Sequence, residues 1–210
     1  MPHYQKVVRF LFFVFVRDER KIYMTNQNSK QNIKKITLCA VMIALGTVLS
    51  MIKIDAPLGG GVTLLSMVPV AFLSCMLGLK WGFAASSAYA AIQLMISIGD
   101  VLSWGLTATA VVVCALFDYV IPYALLGISG IFRKKGIWGI VIGVGIATFI
   151  RFLCHYFTGV VIFDIWCPWA NVYWYSLCYN GAYMLPEIIL TCVGTALLVK
   201  TKAIQKMLKI

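Results

Sequence analysis

The sequence predicts an all-α integral membrane protein: a bundle of six transmembrane helices with both termini in the cytoplasm. Three observations carry that reading. Of 210 residues, 61% are hydrophobic and 12% charged, with a mean hydropathy of +0.91; a soluble domain carries about 25% charged residues. Six apolar runs come near the ~20 residues that cross a hydrocarbon core. The basic residues fall in alternate connections, which orients a membrane protein. The net charge of +11 therefore marks membrane sidedness in the lipid bilayer, and no nucleic acid partner is expected, since the charges fall in short clusters between apolar runs.

The runs lie near residues 36–54, 63–79, 81–98, 106–131, 137–163 and 178–199, within a membrane domain over 36–200. Lys30, Lys34 and Lys35 precede the first. Lys80 separates the second from the third, and Arg133, Lys134 and Lys135 separate the fourth from the fifth. Lys200, Lys202, Lys206 and Lys209 follow the sixth, in a basic cytoplasmic tail over 201–210. The other connections hold Asp55, Asp100 and Asp164. Lys53 is expected to snorkel from a helix end. Residues 24–35 read as a polar cytoplasmic lead. Residues 1–23 fit this plan poorly: VVRFLFFVFV is too short to span, and no small-residue cleavage site follows. The expectation is a start at Met24 preceded by a spurious extension; the alternative is an amphipathic segment on the membrane surface.

Four ionisable residues interrupt the apolar runs: Asp118, Arg151, His155 and Glu187. Such residues are costly in a bilayer and face a cavity or a partner. At roughly 1.5 Å per residue, Asp118, Arg151 and Glu187 fall at similar depths, with His155 one turn further out and Asn180 near the outer edge. Arg151 and His155, four apart, share a helix face. Two carboxylates and one guanidinium leave one negative charge. The expected pairing is Arg151 with Glu187, leaving Asp118 to meet a cation arriving from outside. The segment FDIWCPWANVYWYSLCYNG packs Phe163, Trp166, Trp169, Tyr173, Trp174, Tyr175 and Tyr179 into a short outer stretch. It reads either as an interfacial aromatic belt or as ring faces for a cationic heterocycle.

Enzymatic readings fare worse. GISG at 127–130 has the GxSG spacing of an intramembrane serine protease, but Ser129 lies about 3 Å from the inner end of its helix and His155 about 27 Å up the next. A Ser–His pair must come within roughly 3 Å. An intramembrane enzyme is therefore disfavoured, and no cofactor and no metal site is expected. The glycines at 59–61 suit either a close backbone approach to a ligand or a flexible lid. Among the seven cysteines there is no CxxC; a disulfide between Cys167 and Cys178 is the one pairing considered.

GGGVTLLSMVP (59–69), ALFDYVIPYALLGISGIF (115–132), RFLCHYFTGVVIF (151–163) and YSLCYNGAYMLPE (175–187) carry a resemblance. In order and layout, from about residue 34 to 200, the chain resembles the ThiT (YuaJ) family, the thiamine-specific S-components of energy-coupling factor (ECF) transporters. The resemblance implies a protein of the bacterial cytoplasmic membrane that captures thiamine from outside and is not an enzyme. It also implies a coupling protein and two ATPase subunits as partners. By the same resemblance, Asp118, Tyr119, His155, Gly159, Phe163, Tyr175 and Asn180 match substrate-binding positions. Trp104, Arg151, Trp166 and Glu187 form a second tier, and Ala40 and Ala44 match the small-residue contact to the coupling protein. The chain departs from the family at Cys114, where a glutamine is frequent. A related pyrimidine or another vitamin is the alternative ligand.

Overall fold

The computed structural model describes residues 28–56 and 60–208; the reading of residues 1–23 and of Met24 as the start lies outside them. The chain divides into two compact units, residues 1–34 and 35–210, and the features below belong to the second. Helix α1 (Asn28–Ser50) buries Cys39, Ile43, Gly46 and Leu49, the i, i+4, i+7, i+10 spacing of one helical face. Ala40 and Ala44 are exposed on it.

The second expected span is the one the structure corrects. Residues 53–55 and 61–63 form a two-stranded antiparallel ribbon, β1 (Lys53–Asp55) and β2 (Gly61–Thr63), with Lys53 opposite Thr63. Lys53 therefore sits in a strand and not at a helix end. Helix α2 (Met67–Leu77) has 11 residues, about 16 Å, half the length needed to cross. Hydropathy cannot separate a strand plus a short buried helix from one long helix, because both are apolar throughout; Met67 to Cys75 are all buried.

Gly78, at φ +89°, turns the chain into α3 (Leu79–Ser103). Thr107 caps the next span by accepting from the Ala110 N–H at 3.3 Å. That span, α4 (Ala108–Gly130), is composite. It runs as α-helix to Cys114, as a π-helical turn over Ala115–Val120, as one α-turn, and as a 3-10 helix over Leu125–Gly130. Pro122 supplies no N–H for the Asp118 carbonyl, which breaks the regular ladder at that turn. Helices α5 (Gly136–Val161), α6 (Val172–Val199) and α7 (Lys202–Leu208) complete the chain. Asn171 caps α6 by accepting from the Trp174 N–H at 3.2 Å, so α6 begins six residues before the apolar run at 178.

The described residues thus hold five helices long and apolar enough to cross a membrane, α1, α3, α4, α5 and α6, together with the short α2. The GISG segment is a packing seam between them. Ser74 on α2 donates to the Gly127 carbonyl and accepts from the Gly130 N–H at 3.0 Å, and the Phe83 backbone occupies the space a Gly127 side chain would need. Ser129 is fully buried in this seam.

Candidate ligand site

The site is built where α4, α5 and α6 meet. Asp118 lies inside the π-helical turn and is buried. Its Oδ1 takes two contacts: His155 Nδ1 at 2.8 Å and the Thr158 hydroxyl at 2.5 Å. Oδ2 accepts from the Cys114 thiol at 3.3 Å. His155 also accepts at Nε2 from Arg151 Nε at 3.2 Å. An arginine N–H only donates, so Nε2 is unprotonated and the proton rests on Nδ1, directed at Asp118. The imidazole is thus a neutral bridge between a carboxylate and a guanidinium.

The expected Arg151–Glu187 pair is not formed. Arg151 spends its remaining donors on the Tyr123 hydroxyl at 2.9 Å and on Met67 Sδ at 2.7 Å, with its guanidinium 4.0 Å from the Tyr123 ring centre. Glu187 instead accepts from both the N–H and the hydroxyl of Thr63, each at 2.5 Å. The physical reason is the shortness of α2. The chain runs extended through Thr63 just before that helix, so its backbone N–H needs a partner away from water, and Glu187 supplies one.

Gly159 faces α6. A side chain there would meet the Ser176 hydroxyl and approach Asn180 Nδ2 to 2.9 Å. The bare backbone lets α5 and α6 close, so that Ser176 donates to the Tyr156 carbonyl at 2.9 Å. Asn180 Nδ2 is held by the Ser176 carbonyl at 2.9 Å, and Asn180 Oδ1 accepts from the Tyr183 hydroxyl at 2.6 Å.

Two aromatic files border this cluster. One runs Trp169–Tyr175–Tyr179–Tyr183–His155, with ring centres 5.4, 5.8, 6.1 and 6.1 Å apart. The other joins Trp104 edge-on to Phe163 at 5.8 Å, and Phe163 stacks on Trp166 at the same distance. Gly60, at φ +71°, lies against the Tyr183 ring, where a side chain would come within 2.6 Å of Cδ1. The close approach expected of the glycine stretch is thus to a protein ring.

The structure brings together Asp118, Arg151 and His155, and separately Gly159 and Asn180. Tyr119 packs beside Val101, Cys114 and Ile162, next to the thiol that donates to Asp118. Cys167 and Cys178 are both free, with no disulfide between them. Among the described residues no group of three His, Cys, Asp or Glu side chains could hold a metal ion. Sequence reasoning missed Thr158, Tyr123, Tyr183, Ser176 and Thr63. Thr158 was within reach, because it stands three residues after His155 and shares its face; the Tyr123 and Thr63 contacts depend on how separate helices are rotated.

The thiamine transporter protein family (Thia_YuaJ) matches residues 36–207. The chain belongs to that family. The thiamine transporter ThiT of Bacillus subtilis (strain 168) is 30% identical over 189 residues, which cover 82% of this chain and 93% of that one. The solved structure of ThiT from Listeria monocytogenes superposes with a TM-score of 0.68 at 19% identity, covering 85% of this chain and 99% of that chain. This likeness shows a common fold. As a member of the family with several membrane-crossing helices, the chain is a multi-pass cell-membrane transporter.

Proposed function

We propose that this chain is the substrate-capturing S-component of an ECF-type vitamin transporter, and that it binds thiamine from the outside at the Asp118–His155 cluster. The observation that carries the reading is the buried carboxylate of Asp118, set in a π-helical turn and bordered by aromatic rings, in a chain of the thiamine transporter family. With His155 neutral, Asp118 and Glu187 against Arg151 leave one net negative charge. Thiamine brings one positive charge on its thiazolium and an aminopyrimidine that carries donors and acceptors. Asp118 and His155 suit the polar ring, Tyr175 and Phe163 suit stacking, and Asn180 offers an amide.

Gly159 contributes by close packing, and Tyr119 by holding the π-helical turn against its neighbours. Trp104 and Trp166 act through Phe163, while Arg151 orients His155, and Glu187 sets the charge and holds the Thr63 strand. The exposed pair Ala40 and Ala44 on α1 suits a helix–helix contact with a coupling protein, which two ATPases would energise. β2 and the short α2 together make the sixth crossing, so that both chain termini lie in the cytoplasm, on the side of the lysine and arginine clusters.

Titrating purified protein with thiamine by tryptophan fluorescence tests the reading. Asp118→Asn is expected to cost about 2–5 kcal/mol of binding, as for truncating a buried charge contact. Unchanged affinity in that variant would remove Asp118 from the site. Failure of thiamine to bind the parent protein, with binding of a related pyrimidine, would keep the fold and change the ligand.

A further inference from the structure

A second built feature lies some distance from Asp118, where the α2–α3 and α4–α5 connections meet. A cleft of about 490 Å³ is lined there by Lys80, Arg133, Lys134 and Lys135, with Leu79 and Ile131 beside them. Along α4 it lies 12 residues beyond Asp118, about 18 Å. No acidic residue occurs between positions 56 and 99 or between 119 and 163, so neither connection brings a carboxylate to these four cations. Arg133 forms the fixed floor: its NH1 donates to the Met76 carbonyl at 3.1 Å and the Cys75 carbonyl at 3.4 Å, and its guanidinium lies under Gly78. Lys135 sits 5.3 Å from the Phe132 ring centre. Lys80 and Lys134 are exposed.

Two helices also begin at this cleft, α3 at Leu79 and α5 at Gly136. Neither has a capping side chain or an acid in its first turn, so the positive ends of both macrodipoles add to the charge of the side chains. The depth of the cleft is marked independently. Trp81 and Trp138 stand two residues inside those helix starts, and Trp138 is 78% exposed; tryptophans gather at the headgroup level of a bilayer. Leu79 and Ile131, 41% and 51% exposed, offer apolar surface in the same cleft as the cations. A soluble anion has no use for that surface, whereas acyl chains do.

We propose that this cleft binds the headgroup of an anionic phospholipid of the inner leaflet, with Lys80 and Lys134 contacting the phosphate. Basic pockets between transmembrane helices on the cytoplasmic side take such headgroups. The test is native mass spectrometry of the full chain in detergent with phosphatidylglycerol and, separately, phosphatidylcholine of the same acyl length. A third sample holds phosphatidylglycerol with excess glycerol 3-phosphate. Preferential retention of phosphatidylglycerol is expected, undisturbed by glycerol 3-phosphate. Lys80→Gln with Lys134→Gln should weaken retention roughly 25-fold, about fivefold per lysine. The doubly arginine variant at the same positions should keep it. A melting curve without lipid separates misfolding from lost binding. Equal retention of both lipids overturns the proposal, as does an undiminished preference in the double glutamine variant. Displacement by glycerol 3-phosphate would assign the cleft to a soluble anion and also overturn it.

Discussion

Arg151 donates from Nε to His155 Nε2 at 3.2 Å, and this contact decides which ring nitrogen carries the proton. The charge of Arg151 therefore reaches Asp118 through an imidazole. A prediction about pairing follows from that route. Arg151→Met leaves a buried carboxylate uncompensated and is expected to destabilise the protein by about 3–5 kcal/mol. Adding Asp118→Asn should restore much of the loss, and adding Glu187→Gln should restore less, because Glu187 is occupied by Thr63. Thermal unfolding of the three variants in detergent measures the order; greater recovery with Glu187→Gln would show that the pairing runs the other way.

Gly159 is expected to tolerate no side chain. Gly159→Ala places a methyl group against the Ser176 hydroxyl and Asn180, and overpacking of this kind costs about 1–3 kcal/mol. The shift should also move Asn180, so thiamine affinity and melting temperature should fall together. A variant that melts normally and binds normally would show that α5 and α6 can part at no cost.

Tyr183→Phe removes the hydroxyl that donates to Asn180 Oδ1 at 2.6 Å while keeping the ring between Tyr179 and His155. The expected loss in binding is about 1 kcal/mol, one hydrogen bond's worth. Phe163→Ala removes a ring from the Trp104–Phe163–Trp166 file and should weaken binding by about 0.5–1.5 kcal/mol beyond the area lost. Fluorescence titrations of the two variants are the measurement. No change at Phe163 would assign that file to the lipid interface.

Ala40→Trp and Ala44→Trp are expected to leave thiamine binding by the isolated protein intact and to abolish uptake by cells. Both residues are exposed on α1, so an indole there meets no internal neighbour and instead obstructs an approaching helix. Transport assays in cells paired with titrations of purified protein separate the two effects. Loss of both would show that the alanines serve the fold.

Particular residues show how far the sequence could be read. The spans over α3, α4 and α5 were legible because length and hydropathy specify them directly. The start of α6 was not, since Asn171 caps a stretch of tyrosines and tryptophans that hydropathy scores as interface. The reading of 63–79 as one continuous helix failed because an extended segment buried in protein carries the same apolar signal as a helix. Within the site, the Arg151–His155 contact was legible from its spacing of four along one helix. The contact of His155 with Asp118 was not legible, since the depth estimate sets His155 one turn further out than Asp118 and leaves azimuth undetermined. The same ambiguity led Arg151 to be matched with Glu187, whereas the guanidinium touches neither carboxylate and reaches Asp118 only through His155.

The π-helical turn over Ala115–Val120 has a consequence for rotational phase. Such a turn accommodates one residue more than the α-helical turn it interrupts, so the two halves of α4 are wound out of step by about 100°. Deleting a single residue between Ala115 and Phe117 would convert the π-helical turn into an α-helical one. Its length, hydropathy and sidedness would hardly change, and an assay of membrane insertion would register nothing. Yet the outer half of α4 would swing by more than a quarter turn relative to the inner half, carrying Cys114 away from Asp118. The proposed site therefore hangs on an indel-sensitive phase, a property that substitution scans, which keep the residue count fixed, would never expose.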